Sequence, residues 1–473
     1  MNRRDFMRAA GAVAGSAMTM GLARSRTVPR AWTGTETRPN ILVITTDQQS
    51  ADALSRRMGS TFLKTPAMDG LAAHGMFFSQ AYTANPLCIP ARTAMLTGQC
   101  PHVTGLQTND NAASLAGRFG TFGTLLRDAG YDTAYFGKWH VPYPQQNRAA
   151  HGFTAMGANK NDGIDAEIPA LAEAFIRTSR SAPFLLVTSF VNPHNICEWA
   201  RGEALKNGPV GDPPAPELCP PAVRNLRPMK DEPDIIPLIR ASYQASRLFP
   251  VGQFDEKKWR QYRWAYFRMI EMVDAHVGKV LQALRDAGQY ENTLIVFTSD
   301  HGDCQGAHGW NQKTVLFDES SKVPLVVKPS GTSTAGTSDL LVNVGLDLLP
   351  TLCDYAGVAA PAALPGASLR DAVSGRTAGY ARRFVVVENK MVQGEPVGGE
   401  KPEPGGRMVR SRRFKYCAYD SGTRRESLVD VERDPGELVN LAGEPARRAT
   451  LDEHRQYLAE WCRTTRDPFN VPG

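Results

Sequence analysis

The run Asn85-Pro86-Leu87-Cys88-Ile89-Pro90-Ala91-Arg92 sets a nucleophilic side chain four residues ahead of a fixed cation. Pro90 suits the first turn of a helix, where its missing N–H costs nothing. Cys88 then stands at the helix N-terminus, whose free N–H groups and dipole favour negative charge, and Arg92 follows on about the same face. Such an arrangement suits a reaction that passes through an oxyanion; a buried structural cysteine ahead of an ordinary helix is the alternative. Four more polar groups each follow an apolar run. Asp47 and Gln48 follow residues 41–46, Lys138 and His140 follow 133–136, His194 follows 184–190, and Asp300 and His301 follow 294–299. Carboxylates and imidazoles can hold a metal ion or move protons, and lysines can clamp an anion.

The apolar runs are short and continuous, as strands covered on both faces are. Helical patterns separate them at residues 122–129, 168–179 and 264–287. The last has Ile270, Val273, Val277, Val280, Leu281 and Leu284 on one stripe and Gly288 as a stop. Strand and helix alternating in this way predict an α/β fold with a mainly parallel central sheet flanked by helices. In such sheets sites gather at the carboxyl ends of strands, so polar groups hundreds of residues apart can converge. Beyond about residue 360 the texture changes. Residues 384–388, 407–410 and 414–419 read as short antiparallel strands, and 446–463 as an amphipathic terminal helix. The expected organisation is a catalytic domain at 38–360 and a smaller α+β subdomain at 364–473. A Pro-rich insertion at 197–255 is assigned to the rim of the pocket, since loops of that length are usually functional.

A chain of 473 residues with 42% apolar and 22% charged side chains is an ordinary globular protein. Its net charge of +6 favours anionic substrates without indicating nucleic acid, for which no binding signature is present. Arg3 and Arg4 precede an apolar run over residues 9–22 that is too short to span a bilayer. Residues 1–23 therefore read as a twin-arginine export signal, with a start-transfer anchor as the alternative. No other segment is apolar enough to cross a membrane. The eight cysteines show no metal-ribbon spacing; Cys197 and Cys219, flanking the Pro-rich stretch, are the first candidates for a disulfide.

Cys88-x-Pro90-x-Arg92 followed by Leu96-Thr97-Gly98 resembles the signature of the sulfatase family, in the alkaline-phosphatase-like superfamily. The likeness runs along nearly the whole chain after residue 38. It takes in Asp47, Gly137-Lys138-Trp139-His140, His151-Gly152-Phe153, Pro193-His194, Asp300-His301-Gly302-Asp303, Gly306-Ala307-His308-Gly309, Asp347-Leu348-Leu349-Pro350-Thr351 and Asp434-Pro435-Gly436-Glu437, in the family's order.

The resemblance implies a modified nucleophile. In the family, the signature cysteine is oxidised by a dedicated formylglycine-generating enzyme. One hydroxyl of the hydrated aldehyde attacks sulfur and displaces the alcohol, and the second helps to expel sulfate. Cys88 would be that residue, with Arg92 stabilising its oxyanion. Asp47, Asp300, His301 and residue 88 would hold one divalent metal, with Gln48 either a ligand or a neighbour of one. Such a ligand set makes calcium the first expectation and manganese or magnesium the alternatives. Lys138 and Lys313 would clamp the sulfate, Asn109 would hydrogen-bond it, and His140 would orient or deprotonate the diol. His194 and His308 are candidates for protonating the leaving alcohol, His308 by preference.

Two positions depart from the commonest family pattern: Gln48 replaces a second Asp, and His301 replaces Asn. This combination resembles the choline-sulfatase and phosphonate-monoesterase branch. It weakens the case for calcium without displacing it, leaves manganese open, and keeps phosphonate monoester or phosphodiester hydrolysis as an alternative. A silent anion-binding protein is a further alternative, but no expected catalytic position is lost. The expectation is an enzyme, a sulfatase exported to the periplasm or beyond, acting on a sulfated small molecule or, by first choice, a glycan. Its other partners would be the formylglycine-generating enzyme and the twin-arginine translocase.

Overall fold

Asn40–Asp47 (β1) reads NILVITTD, and all eight of its residues are buried, as a strand requires when it has a partner on each edge and helices on each face. It lies near the middle of an eight-stranded sheet in a computed structural model that describes residues 38–109, 114–331, 334–376, 380 and 382–473. The other strands of this sheet are β2 (Met76–Tyr82), β3 (Asp132–Gly137), β4 (Ala155–Gly157), β5 (Phe184–Pro193), β6 (Thr293–Ser299), β7 (Leu325–Lys328) and β8 (Gly336–Asn343). Their order is β4-β3-β5-β1-β6-β7-β2-β8, and only the pairings of β7 are antiparallel. The fold is thus the mainly parallel α/β layer structure expected. The four runs read as strands ahead of polar residues are β1, β3, β5 and β6. β2, β4, β7 and β8 have no counterpart in the sequence reading, because β4 and β7 are short and β8 alternates exposed and half-buried residues along its first half.

Helices cover both faces. On one, the helix Cys88–Thr97 packs beside the helix Val344–Ala356. On the other lies the 31-residue helix Glu256–Asp286, whose Val273, Val277, Val280, Leu281 and Leu284 meet Leu42, Ile44, Leu186 and Ile295 of the sheet. That helix starts eight residues before the expected boundary. Asp255 caps it, accepting from the Lys258 N–H at 2.8 Å, and its first turns bury aromatic side chains rather than an aliphatic stripe. Trp259, Tyr262 and Tyr266 pack there against Ile196 and against Cys197 and Val251 of the insertion. The insertion is partly helical, with Ile196–Arg201 and Ile235–Gln244 within or overlapping it. Cys197 and Cys219, expected as a pair, are both free thiols: Cys197 lies against Gln48 and Cys219 against the Pro214 carbonyl.

A second sheet of β9 (Phe384–Lys390), β10 (Gly405–Ser411), β11 (Phe414–Tyr419) and β12 (Glu426–Asp430) is wholly antiparallel, with the terminal helix Arg448–Thr465 against it. The twin-arginine leader lies outside the described residues. Among the described residues, no helix is long and apolar enough to cross a membrane.

Candidate active site

Strand register alone brings four polar groups together. Thr46 of β1 pairs with Ser299 of β6, so the next residues, Asp47 and Asp300, are neighbours. Asp47 pairs with Pro193 of β5, which puts His194 one step beyond. Gly137 of β3 pairs with Ser189 of β5, and Lys138 follows it. Gly137 is needed at that turn: its φ is 114°, and a Cβ would lie 2.0 Å from the Ser189 carbonyl oxygen. Gly302 has the same kind of reason, since a Cβ there would lie 1.9 Å from the Glu319 carbonyl oxygen. All of these ends are carboxyl ends of parallel strands.

Cys88 is the first residue of the helix Cys88–Thr97 and is fully buried. Its Sγ lies 3.2 Å from His301 Nε2, 3.2 Å from Lys313 Nζ and 3.9 Å from Asp47 Oδ1. Arg92, one turn on, spends four of its five N–H groups inside the protein. Nε donates to Asp300 Oδ2 at 2.8 Å, Nη2 to Asp47 Oδ2 at 3.0 Å, and Nη1 to the Lys138 carbonyl and Ser189 Oγ. Lys138 Nζ pairs with Asp47 Oδ2 at 2.6 Å. Lys313 differs: its ammonium donates to Gln48 Oε1 at 2.8 Å and to Cys88 Sγ, and it makes no salt bridge among the described residues.

These charges act on one another. Burial and Asp47 push the Cys88 thiol up, but Lys313, Lys138 and His301 prevail and hold it well below its ordinary value. Burial also opposes ionisation of Asp47, yet Lys138, His194, Lys313 and Arg92 keep it well below the usual carboxylate range. Burial and the neighbouring Asp47 push Asp300 up.

Donor atoms of Asp47, Cys88, Asp300 and His301 all lie within 4.8 Å of one another. Arg92 takes Oδ2 of each carboxylate and leaves Oδ1 of each facing His301 Nε2, at 3.8 Å for Asp47 and 3.5 Å for Asp300. Two carboxylate oxygens and one imidazole nitrogen fit a divalent cation that prefers oxygen.

The structure also shows where the remaining predicted residues stand. Asn109 accepts the Ile89 N–H at 2.9 Å, so its oxygen serves the first turn of the Cys88 helix. His140 holds a left-handed backbone, φ 41°, and its buried Nδ1 has no partner among the described residues. His194 is half-buried, and Lys138, Lys313, Asp47 and Cys88 all act on its charge; burial and the two lysines depress it well below the ordinary imidazole value. His308 is fully buried elsewhere. It stacks on Phe317 at 3.8 Å, and its Nε2 lies 3.3 Å from Asn225 Nδ2. Burial, Lys415 and Arg240 push it down to about 3. The cluster thus gathers His194 and leaves His308 in a separate polar contact.

Sequence reasoning gives no site role to Asp303, Ser189, Tyr262, Tyr266 or Cys197, the last of which it reads only as a disulfide candidate. Asp303 accepts from Gln48 Nε2 at 2.7 Å and from the Tyr262 hydroxyl at 2.9 Å, and burial pushes it up to about 6. Its place in Asp300-His301-Gly302-Asp303 was the available signal. Tyr266 sits on a helix that reads as packing alone, and Tyr262 precedes the expected start of that helix.

The sulfatase family model matches residues 39–358, and a model for the C-terminal region of N-sulphoglucosamine sulphohydrolase matches 306–463. The chain is 31% identical to a Delta 4,5-hexuronate-2-O-sulfatase of Bacteroides thetaiotaomicron, over 91% of this chain and 90% of the relative. It is 30% identical to a choline-sulfatase of Rhizobium meliloti, over 89% and 86%. The solved structure of a 2-O GAG sulfatase superposes with a TM-score of 0.80 at 30% identity, covering 92% of this chain and 95% of that one.

Proposed function

The chain belongs to the sulfatase family and hydrolyses sulfate esters, and from that premise we propose that residue 88, converted from cysteine to formylglycine, is its nucleophile beside one divalent metal ion. The observation that carries this reading is Lys313. Among the described residues no carboxylate pairs with this buried ammonium, whose partners are Gln48 Oε1 and Cys88 Sγ; with residue 88 as a neutral aldehyde hydrate, an anionic sulfate held against it would complete its coordination.

Asp47, Asp300, His301 and residue 88 would hold the metal, which when bound supplies charge that acidifies the nucleophile and polarises the sulfuryl oxygens. Formylglycine supplies a geminal diol, one hydroxyl to attack sulfur and another to release sulfate. The protein's own residues do the rest. Arg92 keeps Asp47 and Asp300 turned towards residue 88, and adds positive charge beneath it rather than donating most of its N–H groups to substrate. Lys138 and Lys313 bind the sulfate oxygens and stabilise the charge that grows on them. Asn109 holds the start of the helix that carries residue 88, and His140 orients or deprotonates the attacking hydroxyl.

His194 protonates the leaving oxygen. The preference for His308 gives way because that ring is buried against Phe317 and held neutral by Lys415 and Arg240. Burial, Lys138 and Lys313 depress His194, and a bound sulfate between the two lysines would offset the charges that do so.

A glycan sulfate is the proposed substrate, supported by the uronate and GAG relatives. Trp199 contributes less to that reading than its type suggests, because Lys258 already lies over its ring at 4.4 Å. Residues 38–360 form the proposed catalytic domain, with the 197–255 insertion, and 364–473 the subdomain. The leader at 1–23 supports export through the twin-arginine route. Gln48 and His301 favour phosphonate monoester hydrolysis as the second reading. Turnover of an aryl sulfate against an aryl phosphonate monoester separates the two: sulfate should be preferred, and a reversed preference would favour the second.

A further inference from the structure

Asp303 takes part in none of the steps above, yet it is buried at the end of a continuous chain of hydrogen bonds that reaches residue 88. Its Oδ2 accepts from Gln48 Nε2 at 2.7 Å and from the Tyr262 hydroxyl at 2.9 Å, and its Oδ1 accepts from the Gln305 N–H at 2.8 Å. At its other end the Gln48 amide accepts from Lys313 Nζ at 2.8 Å, and the same ammonium donates to Cys88 Sγ at 3.2 Å.

The backbone of Gln48 is held as firmly as its side chain. Its φ is 73°, its carbonyl accepts from the Tyr266 hydroxyl at 2.7 Å, and its N–H donates to Asp300 Oδ1 at 3.1 Å. An amide has one end that accepts and one that donates. A lysine ammonium can only donate, and a carboxylate can only accept. Turning the amide over would point N–H groups at the ammonium and oxygen at the carboxylate, two repulsive contacts in place of two bonds. Cys197 Sγ, 3.4 Å from Nε2, closes a third side. Asp303 therefore decides which end of Gln48 faces Lys313.

We infer that Asp303 is a positioning residue: through Gln48 it holds the Lys313 ammonium against residue 88, and positions 48 and 303 form a matched amide–carboxylate pair. The inference rests on the reading of residue 88 as nucleophile. The isosteric change Gln48→Glu sets two carboxylates against each other, and Asp303→Asn added to it restores a donor between them.

The test is a double-mutant cycle on the full-length, natively produced enzyme, with kcat and KM measured on an aryl sulfate and folding checked by thermal melting. Gln48→Glu alone should lower kcat strongly and KM little, because the ammonium acts on charge that grows during the reaction. Asp303→Asn alone should lower kcat by roughly ten-fold, since an amide at 303 can present either end. The double variant should be at least roughly ten-fold more active than Gln48→Glu alone. Losses that simply multiply, in folded protein, would overturn the inference. Should Asp303→Asn fail to fold, Tyr262→Phe is the readout: it removes one donor that orients Asp303, and an unchanged kcat would overturn the inference in its turn. Cys88→Ala separates this failure from that of the parent reading. Activity retained in Cys88→Ala removes the nucleophile, whereas an inactive Cys88→Ala with multiplying losses removes only the role of Asp303.

Discussion

Among the described residues, two groups of His, Cys and carboxylate side chains are close enough to hold an ion: Asp47, Cys88, Asp300 and His301 at the sheet ends, and Cys100, His102 and Glu388 where the helix after Cys100 meets β9. They differ in how their charges are met. At the second group, Glu388 accepts from His102 Nδ1 at 2.7 Å and from the His102 N–H at 3.0 Å, while Arg407 grips Asp467 at 2.6 Å and lies 3.7 Å from Glu388. Two carboxylates face one arginine and one imidazole, and His102 Nε2 already has the Thr465 carbonyl at 3.1 Å. The group is balanced and closed, and it ties the start of the helix Pro101–Thr104 to β9, β10 and the C-terminal tail. At the first group three cations meet two carboxylates, and Lys313 has no carboxylate partner among the described residues. Proximity of ligand atoms is common to both. A lysine without a carboxylate partner belongs to the first alone, and that difference supports the first as the proposed anion site.

The contrast can be broken most severely at the two cysteines. Cys88→Ala should lower turnover of an aryl sulfate by roughly 10⁴-fold or more, the scale of losing a nucleophile, with thermal unfolding little changed. Cys100→Ala should retain turnover. Comparable losses in both would erase the distinction.

Metal analysis sharpens it next. One divalent ion per chain is expected, held at the first group only. Asp300→Ala should remove it together with most turnover, chelation of the wild type should do the same, and a divalent ion should restore the chelated enzyme. Full turnover in demetallated protein would contradict the assignment.

His194 gives a graded effect. A sugar alkoxide needs a proton to leave, and nitrophenolate does not. His194→Gln should therefore cost ~10²–10⁴-fold on a sugar sulfate and far less on nitrophenyl sulfate, with His308→Gln flat across the two. Equal losses on both substrates for His194→Gln would deny it the role of acid.

The smallest effect lies at the balanced group. His102→Gln should leave turnover unchanged and lower stability by ~1–3 kcal/mol, the range for a buried polar group losing its partner. Burial pulls His102 down, but Glu388 and Asp467 prevail and raise it above the ordinary imidazole value. Its contribution is fully present below the unfolded value of about 6.5 and fades as pH rises through the raised native value. Melting curves of wild type and variant should converge as the pH is raised above the ordinary imidazole range. A difference that grows with pH would contradict this sign.

Much of the α/β frame was legible because β1, β3, β5 and β6 are continuous apolar runs ending in polar residues. Edge and antiparallel strands such as β7 and β8 were not, since a four-residue strand has no period and a half-exposed one has no continuous run. Asp47, Cys88, Asp300, His301, Lys138 and Lys313 could be named because their types at their spacing resemble a known signature, and the structure places them within one network. His308 shows the limit of that reasoning. Its motif position suggests a proton donor, but its surroundings come from Asn225, Phe317 and Lys415, which spacing cannot assemble. Asp303 shows the reverse: it lies inside the named motif, but its role depends on which end of a glutamine amide faces it, and only coordinates carry that.

Peptide mass spectrometry of the natively produced, active protein tests the central claim most directly. The peptide that carries residue 88 should have the mass of the aldehyde in place of the thiol, in proportion to specific activity across preparations. A wholly unmodified Cys88 in fully active enzyme would contradict the formylglycine mechanism.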